Sequence, residues 1–573
     1  MAELDLVIRN ATVVDGAGRA PFAAHIGIAG DRIVEVGPNV GRGRREIDAR
    51  GGLVTPGFVD IHTHYDSQVT WSSRLDPSSL MGVTTVVMGN CGVGFAPCKP
   101  EDRDTLIQLM EGVEDIPEAV MAEGLKWNWL SFPDYLDALD RNRYDIDIAT
   151  QVAHAPMRVY VMGERGVNRE VATEADRQEM ARLTAEGIRA GALGFSTSRT
   201  ILHKTSDGKQ TPMFNAAEEE VLAIAQAIAA TGQGAIELVS DFDDAEADCG
   251  FCWRIAKKSG LQISMALTQR EDRPVRWREV LDLVDAANRD GAALRVQVGT
   301  RGIGVMMGLE LTRHPFSWQP SYRAIAHLPL AERLQRMRDP ELRRQILTEE
   351  AVDTAERARN INYDRTFPVA DVPDYEPRPA DSLGAMARAK GVPADEFTYD
   401  LLTEGDGRRL LYRPLHNYVD DNLDVVRDML CDPHSLIGLG DGGAHCGVIA
   451  DASFAPFMLT HWARDRSRGA MIGLPEAVKM LTSNTAGAVG LLDRGIVAPG
   501  YKADLNIIDF DRMRILAPQV VYDMPLNGRR LVQRTEGIVA TIVSGKVIAE
   551  DGAQTGELPG RLIRGAKPAP AMQ

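Results

Sequence analysis

Strand and helix patterns alternate along most of this 573-residue chain, and that alternation limits the possible folds more than any other feature. Short runs rich in β-branched residues are mostly followed by stretches with apolar residues at three-to-four spacing. Strands are predicted at 58–64, 84–91, 145–154, 192–198, 234–240, 261–269, 293–299 and 435–441. Helices are predicted at 171–190, 216–230, 274–289 and 422–430. The pattern predicts an α/β chain that folds as a TIM-like (β/α)8 barrel.

Both ends of the chain show a different pattern of short strands and tight turns. This pattern covers residues 4–50 and returns near 503–509 and 537–547. We therefore expect the two ends to pair in one small β-sandwich domain, made from residues 1–56 and 491–573. The barrel is then predicted to span residues 57–490.

The interval from about 301 to 414 is too long for a barrel loop. It holds a charged helical piece at 330–359 and then the Pro-rich run Val372-Pro-Asp-Tyr-Glu-Pro-Arg-Pro379. We expect an inserted subdomain that lies over the mouth of the active site as a lid. A disordered linker is the alternative.

Composition excludes several classes of partner. Apolar residues make up 44% of the chain and charged residues 25%, as in ordinary globular proteins. The net charge of −17 argues against nucleic acid or an anionic membrane as a partner. No apolar run is long enough to span a bilayer, and the first residues lack the basic start of a signal peptide, so a cytoplasmic location is expected. The six cysteines show no metal-finger spacing, and most are expected to be small core residues.

Two histidines, His62 and His64, stand one residue apart where the first predicted strand ends. On a strand they would point the same way, about 6 to 7 Å apart, so that two imidazoles could hold one divalent ion. A loop cap and a hydrogen-bonded core histidine are the alternative. Barrel enzymes carry their reactive groups at the C-terminal ends of strands, where this sequence also places Cys91, His154 and Asp441.

Several motifs carry a resemblance to a known family. They read Gly57-Phe-Val-Asp-Ile-His-Thr-His-Tyr-Asp66, Gly82-Val-Thr-Thr-Val-Val-Met-Gly-Asn-Cys-Gly-Val-Gly94, Gln151-Val-Ala-His-Ala-Pro-Met-Arg158, Gly191-Ala-Leu-Gly-Phe-Ser-Thr197 and Gly440-Asp-Gly-Gly-Ala-His445. Together they resemble the N-acyl-D-amino-acid deacylase (D-aminoacylase) branch of the amidohydrolase superfamily. The closing Asp493-Arg-Gly-Ile-Val-Ala-Pro-Gly-Tyr-Lys-Ala-Asp504 is similar to that superfamily's return to its small β domain.

The resemblance implies zinc near His62 and His64, as one or two ions of which one is tightly bound, with Cys91 as a thiolate ligand. Imidazole and thiolate are good zinc ligands, and bound metal would keep the thiol deprotonated. Asp441 is the implied general base, which takes a proton from metal-polarised water and returns it to the leaving amine. A buried structural thiol is the alternative for Cys91, and a turn residue before two glycines is the alternative for Asp441.

The chain departs from this family on the fifth and sixth predicted strands. Family members bring a histidine from each of these strands to the tightly bound zinc, yet this sequence has no histidine between His203 and His314. Glu237 on the fifth strand is the predicted substitute, because a carboxylate is an acceptable zinc ligand. A buried charge paired with Arg270 or Arg295 is the alternative. The family's lysine after the sixth-strand histidine is also missing, which weakens the case for an ordinary N-acyl-D-amino acid as substrate.

Further residues near or beyond the predicted strand ends are candidates for substrate binding. They are His154, Arg158, Arg199, His203, Gln269, Arg301 and His445. The arginines, with Arg270, could grip a substrate carboxylate through two hydrogen bonds, and ion pairs with acidic residues are the alternative. His154 is expected either to polarise the substrate or support a ligand, or to be a hydrogen-bonded core residue. His445 is expected to orient Asp441 or contact substrate, with loop packing as the alternative, and Gln269 to orient substrate or water.

These features predict a metal-dependent amidohydrolase that cleaves an amide bond in an N-acyl amino acid or in a related small amide, and they leave open whether the amino acid has the D configuration. The inserted subdomain would exclude bulk water as a lid. A cyclic-amide hydrolase is the alternative among enzymes, and a non-catalytic oligomeric scaffold is the alternative outside them. A homo-oligomer is implied by the resemblance alone.

Overall fold

The computed structural model describes residues 4–571. The strands are β1 Leu4–Val13, β2 Phe22–Ala29, β3 Arg32–Gly37, β4 Gly43–Asp48, β5 Leu53–Pro56, β6 Phe58–Asp60, β7 Val83–Met88, β8 Asp147–Thr150, β9 Val152–Ala153, β10 Gly194–Ser198, β11 Ala235–Val239, β12 Ile263–Ala266, β13 Leu294–Val298, β14 Ile303–Met307, β15 Phe367–Pro368, β16 Leu411–His416, β17 Ser435–Ile437, β18 Leu505–Ile508, β19 Arg514–Ile515, β20 Gln519–Met524, β21 Gly528–Val532, β22 Thr535–Glu536, β23 Ile538–Val543, β24 Lys546–Glu550 and β25 Ala553–Gln554.

The helices are α1 Arg103–Glu114, α2 Glu118–Gly124, α3 Phe132–Asp140, α4 His154–Met162, α5 Glu164–Val167, α6 Glu174–Ala190, α7 Glu218–Ala229, α8 Ala245–Ser259, α9 Arg276–Arg289, α10 Pro320–Arg323, α11 Leu330–Met337, α12 Pro340–Thr348, α13 Thr354–Asn360, α14 Leu383–Lys390, α15 Ala394–Thr403, α16 Asp424–Leu430, α17 Phe454–Phe457, α18 Leu474–Leu481 and α19 Ser483–Ala488. A π-helix covers Met458–Asp465. Short 3-10 helices lie at Gln68–Thr70, Ser78–Met81, Pro100–Asp102, Tyr363–Arg365, Pro379–Asp381, Asp451–Ser453 and Pro525–Asn527.

The two ends of the chain meet in one nine-stranded sheet. Its order is β25-β24-β23-β18-β5-β1-β2-β3, and β4 pairs with β1. β18 joins the two halves because it runs antiparallel both to β5 and to β23. Side chains of this sheet, among them Ile8, Val13, Leu505 and Ile542, form a small separate core. The sheet therefore forms only when the two ends of the chain come together.

The middle of the chain supplies parallel strands separated by helices. One sheet has the order β6-β7-β8 and the other the order β9-β10-β11-β12-β13-β17, with every pair parallel. Only Gln151 separates β8 from β9, and its N–H donates to the Met88 carbonyl. Backbone hydrogen bonds also join the segment after β17 to the segment after β6: the Asp441 N–H donates to the His62 carbonyl, and the His64 N–H donates to the Gly442 carbonyl. Strands alternating with helices confirm the predicted α/β class.

Several predicted strands prove shorter at their C-terminal ends, where the functional candidates stand. β6 ends at Asp60, so His62 and His64 lie in the segment that follows it. Cys91 and Asp441 follow β7 and β17 with φ angles of 56° and 48°, in the left-handed region that a strand cannot contain. The strand predicted at 145–154 divides into β8 and β9, and His154 begins α4. The sequence pattern thus located the strands correctly but predicted C-terminal ends that lie several residues too late, inside the loops that carry the candidate residues.

The segment predicted as an insertion is folded rather than a linker. β14 and β16 pair antiparallel, which brings its start and its end side by side. The single helical piece predicted at 330–359 is three helices, because Asp339 and Asp353 cap new helix starts with their side chains. A separate core that includes Phe316, Met337 and Tyr399 holds this region together. Tyr375 in the Pro-rich run is also buried.

Among residues 4–571, no helix combines the length and the apolar character that a bilayer-spanning segment needs.

Candidate active site and metal centre

Three predicted metal ligands converge. One donor atom from each of His62, His64 and Cys91 lies within 4.8 Å of the other two, and all three residues are buried. The Cys91 Sγ is 3.3 Å from the His62 Nε2, and the two imidazole centroids are 5.5 Å apart. The histidines come from the segment after β6 and the cysteine from the segment after β7, so two neighbouring strands position the whole group.

The second nitrogen of each imidazole faces an oxygen. His62 Nδ1 lies 2.8 Å from the Gln297 Oε1, and the Gln297 amide nitrogen donates to the Ser264 hydroxyl. An amide oxygen only accepts, so His62 carries its proton on Nδ1 and keeps Nε2 free as a ligand. His64 Nδ1 lies 3.5 Å from the Glu114 Oε1. Both imidazoles therefore turn Nε2 toward the centre of the group.

Asp441 lies beside the same two nitrogens. Its Oδ1 is 3.6 Å from the His62 Nε2 and 3.8 Å from the His64 Nε2. Burial raises the pKa of this carboxyl, and nearby His445 opposes the rise. On the same loop, His445 Nε2 lies 3.6 Å from the Glu114 Oε2. Asp441 thus lies next to both imidazoles, within reach of a water bound between them.

Glu237 reaches this centre in a different way from the one predicted. Its Oε2 accepts a hydrogen bond of 2.9 Å from the Cys91 backbone N–H, and its Oε1 has no hydrogen-bond partner. Burial raises the pKa of Glu237 to about 7. The alternative, an ion pair between Glu237 and Arg270 or Arg295, is not formed. Arg270 pairs with Asp241, and Arg295 contacts His434 near the start of β13. The first contact of Glu237 is therefore the backbone that presents Cys91, and its second oxygen is still available to a ligand.

The centre gathers buried carboxyl groups that have few positive partners. Its carboxyl groups belong to Asp60, Asp66, Glu114, Glu237 and Asp441, and within residues 4–571 none of them forms an ion pair with lysine or arginine. Oxygens of four of these groups, and the His64 Nδ1, have no hydrogen-bond partner. Burial raises the pKa of Asp66 to about 7 and that of Glu114 well above its usual range. Two imidazoles, a thiol and surplus carboxylates are the donor set of a zinc site, so the residues present fit a divalent cation.

A cavity of about 310 Å³ opens onto this centre. That volume is at the lower end of the range for small-molecule sites. Its apolar walls include Val113, Leu202, Val239, Phe242, Ile303 and Leu439. His203 also lines it, held by the Ser198 hydroxyl 2.9 Å from its Nδ1, and burial lowers the pKa of His203 to about 3. The predicted residues His203 and His445 therefore lie where a substrate would contact them.

The arginines at the cavity rim each have an acidic partner. Arg270 pairs with Asp272 through two hydrogen bonds of 3.0 and 2.9 Å. Arg273 Nε lies 3.2 Å from an Asp243 carboxylate oxygen. Arg276 pairs with a glutamate one helical turn later, at 2.9 Å. The three arginines at the rim are thus paired with acidic side chains, and the cavity walls include many apolar residues.

The remaining predicted substrate contacts lie away from the cavity walls, which corrects their expected role. Arg158 pairs with buried Glu220, and the same carboxylate lies 2.8 Å from the His154 Nε2. His154 is therefore a hydrogen-bonded core histidine, the alternative reading of this residue. Both ring nitrogens of His154 are therefore engaged, and the Arg158 guanidinium is buried against Glu220 away from the cavity.

Arg199, Gln269 and Arg301 are likewise engaged elsewhere. Arg199 donates to the Ala216 carbonyl and stacks on a phenylalanine ring. Gln269 donates to the Asp420 carboxylate. Arg301 pairs with Asp451 at 3.0 Å, with its guanidinium on the Tyr375 ring. Each of the three side chains is held away from the cavity by a partner distant in sequence, which strand position alone does not reveal.

Two residues of the centre lie outside every motif that the sequence analysis singled out. Glu114 is the last residue of α1, and Gln297 lies on β13. A glutamate at the end of an amphipathic helix looks like a solvated residue, and a glutamine on a strand carries no ligand signal. Only the three-dimensional contacts with His64 and His62 mark them.

Comparisons with known proteins agree with the geometry. A family model for the amidohydrolase family matches residues 45–549. The D-aminoacylase of Alcaligenes xylosoxydans xylosoxydans is 26% identical over 98% of this chain and 97% of its own, and the N-acyl-D-aspartate deacylase of the same organism is 26% identical over 98% and 95%. A solved N-acyl-D-glutamate deacylase from Bordetella bronchiseptica, complexed with zinc and a phosphonate inhibitor, superposes with a TM-score of 0.62 at 22% identity, covering 98% of this chain and all of that one. The resemblance predicted from the motifs is confirmed.

Proposed function

This chain belongs to the amidohydrolase family, and from that membership we propose that it hydrolyses the amide bond of N-acyl amino acids with the help of a bound divalent metal. Two relatives that match along nearly the whole chain are a D-aminoacylase and an N-acyl-D-aspartate deacylase, so the D configuration is the first to test. One observation carries the proposal. His62, His64 and Cys91 form a buried donor group inside an excess of uncompensated carboxylates, at the end of an apolar cavity.

We propose zinc as the metal, held by His62, His64 and Cys91. When bound, zinc lowers the pKa of a coordinated water and polarises a carbonyl oxygen. Glu237 supports this arrangement by holding the Cys91 backbone, and its free oxygen is the candidate for the place of the missing fifth-strand histidine. The solved zinc-containing deacylase motivates the choice of metal, together with the donor chemistry of this chain.

The protein's own groups account for the proton movements. Asp441 would accept a proton from the attacking water and later deliver it to the nitrogen of the leaving amine. Its 3.6 and 3.8 Å distances to the two imidazole nitrogens place its carboxylate beside the ligand group. His445 and His203 line the cavity and are candidates for hydrogen bonds to the substrate carbonyl. The apolar walls would receive the acyl chain or the amino-acid side chain and keep bulk water out.

A second candidate function is hydrolysis of neutral or cyclic amides. The observation that favours it is the state of the rim, where Arg270, Arg273 and Arg276 already pair with acidic side chains. A substrate carboxylate would have to displace one of these partners, whereas a neutral amide would not. A non-catalytic scaffold is disfavoured, because a scaffold has no need for buried carboxylates without partners.

Several broader features belong to the same proposal. The strand order and the backbone bonds between the segments after β17 and β6 support a closed (β/α)8 barrel over residues 57–490. The shared sheet supports a small β domain from residues 1–56 and 491–573, and the separate core supports an inserted lid at about 301–414. We also propose a cytoplasmic homo-oligomer that acts on a small molecule, without a nucleic acid or membrane partner, as charge and family suggest.

The test is hydrolysis of matched substrates by zinc-loaded protein. N-acetyl-D- and L-amino acids with apolar side chains, their primary amides and a cyclic dihydropyrimidine would be compared by release of product. We expect turnover of at least one class that chelator abolishes and zinc restores. Turnover of the D-amino acids supports the first function, turnover of the neutral amides alone supports the second, and chelator-resistant turnover contradicts both.

A further inference from the structure

Glu114 occupies a place at the metal centre that neither the motifs nor the family comparison assigns. It is 1% exposed, at the C-terminal end of α1. Its Oε1 lies 3.5 Å from the Nδ1 of His64, and its Oε2 lies 3.6 Å from the Nε2 of His445. One carboxylate therefore faces a predicted metal ligand with one oxygen and a cavity-lining histidine with the other.

The two predicted imidazole ligands receive matching support on their outer nitrogens. His62 has the amide oxygen of Gln297 at 2.8 Å, and His64 has Glu114. Metal-binding histidines commonly donate their other N–H to a carboxylate or carbonyl, which fixes the ring and makes the ligand more basic. The distance of 3.5 Å is longer than a formed hydrogen bond, and such contacts often tighten only in the working complex.

The backbone around Glu114 holds the loop that carries Asp441. The Glu114 carbonyl accepts a hydrogen bond from the His445 N–H. The next residue, Asp115, turns the chain in the left-handed conformation at φ 52°, and its carboxylate accepts a 2.9 Å hydrogen bond from the Gly447 N–H. The end of α1 therefore contacts both the segment after β6 and the loop after β17.

We propose that Glu114 is a positioning residue that fixes the His64 imidazole for metal binding and couples it to His445 on the catalytic loop. The proposal rests on the proposed function, because it needs His64 to be a ligand. In that role the Glu114 carboxylate faces the His64 Nδ1 with one oxygen and the His445 Nε2 with the other, whereas the amide of a glutamine has only one oxygen acceptor.

Opposite effects on metal binding and on stability separate this role from a merely structural one. In Glu114→Gln the side chain keeps its size and an oxygen acceptor but loses its charge. We expect zinc affinity to fall about 10- to 100-fold, while the zinc-free protein keeps or gains thermal stability. Glu114→Ala should lose at least as much affinity, because the acceptor is also gone. Glu101→Gln, an exposed glutamate just before the same helix, is the matched control and should change neither quantity.

The experiment measures zinc dissociation constants by chelator competition, melting temperatures without zinc and the absorption spectrum of the cobalt-loaded protein, for the parent chain and the three variants. Weaker zinc binding, an altered cobalt spectrum and an unchanged or higher zinc-free melting temperature in Glu114→Gln would support the inference. Parent-like zinc affinity and spectrum in Glu114→Gln would overturn it while leaving the proposed function intact. Failure of the parent chain to bind zinc or cobalt would overturn both.

Discussion

Two buried clusters of charge in this molecule have opposite compositions. The first joins β8 to the C-terminal part of the chain, where the Asp147 carboxylate lies 2.8 Å from Arg494 and also contacts Lys502. Burial alone would raise the pKa of Asp147, but Lys502 and Arg494 outweigh it and lower that pKa to about 2. The second cluster is the candidate metal centre, where burial raises the pKa of Asp66 and Glu237 to about 7.

The difference shows which cluster is complete. Around Asp147 the chain supplies its own cations, so the cluster serves the docking of the C-terminal segment onto the strands. At the metal centre the chain supplies imidazoles, a thiol and carboxylates, and leaves oxygens without partners. Buried charge without compensation is costly, and function is a common reason to keep it. The missing positive charge is what we assign to the metal.

The largest effect is expected from Asp441→Asn, which removes the proposed proton acceptor but keeps the shape of the side chain. Loss of a general base typically costs about 10²- to 10⁴-fold in turnover. Zinc content and melting temperature should stay near those of the parent chain, because His62, His64 and Cys91 are untouched. Steady-state rates on whichever amide the parent hydrolyses would measure this, and parent-like turnover would rule out the role of Asp441.

Arg494→Met should break the complete cluster without touching the metal centre. It removes one of the two cationic partners of Asp147, which keeps Lys502, and the nearer cationic partner of Asp493, and removing one member of a buried pair costs about 3 to 5 kcal/mol. Urea unfolding would measure the loss, and zinc content per folded chain should not change. The exposed Arg182, which pairs with Glu179 and Glu186, offers the control Arg182→Met, expected to cost no more than about 1 kcal/mol. Equal losses in the free energy of unfolding for the two variants would show that the buried cluster stabilises the protein no more than an exposed ion pair does.

The two clusters should respond to pH in opposite directions. Asp147 has a folded pKa of about 2, below the value of about 3.9 for an unfolded chain, so its contribution is present at neutral pH and is lost as pH falls toward 2. Asp66 and Glu237 bind protons more tightly in the folded, zinc-free protein than in the unfolded chain. Between about pH 4 and pH 7, their contribution to stability therefore falls as pH rises.

Urea unfolding of the zinc-free protein at several pH values would measure these slopes, with Glu237→Gln and Asp147→Asn as the reporting variants. Glu237→Gln should flatten the dependence between about pH 4 and pH 7, and so should zinc added to the parent chain. Asp147→Asn should flatten only the acid limb. A parent slope that neither Glu237→Gln nor zinc changes would contradict the assignment of uncompensated charge to the metal centre.

A smaller effect is expected from Gln297→Leu, which removes the acceptor on the outer nitrogen of His62. Residues of this kind typically contribute about 10- to 100-fold to metal affinity, and the lower part of that range is expected because Gln297 carries no charge. Chelator competition would measure it. Gln262→Leu is the control, because Gln262 directly precedes β12 and its side chain donates to the Ala488 carbonyl. Identical zinc affinity in all three chains would remove Gln297 from the metal site.

The sequence was most informative where chemistry is local. His62, His64, Cys91 and Asp441 sit beside recognisable strands, and the residues that flank them are close in the chain. The strand and helix pattern likewise predicted the α/β class, although the strands end before the loops that turn at Cys91 and Asp441.

The sequence was least informative where partners are far apart. Arg158 and Arg301 looked free to bind substrate, yet they pair with Glu220 and Asp451, which lie 62 and 150 residues away in the sequence. Glu114 contacts His64 only because the end of α1 packs over the segment after β6. Burial and pairing of such groups depend on packing between distant elements, and no local pattern records that packing.

The most direct test of the account is the metal content of the protein, by inductively coupled plasma mass spectrometry. The protein would be purified without chelator, offered zinc and freed of excess, beside a Cys91→Ser variant treated in the same way. The account predicts about one tightly held zinc ion per parent chain and a clear loss in Cys91→Ser. A parent chain that retains no metal after zinc is offered would contradict it, because the buried carboxylates would then lack the cation for which we infer they are kept.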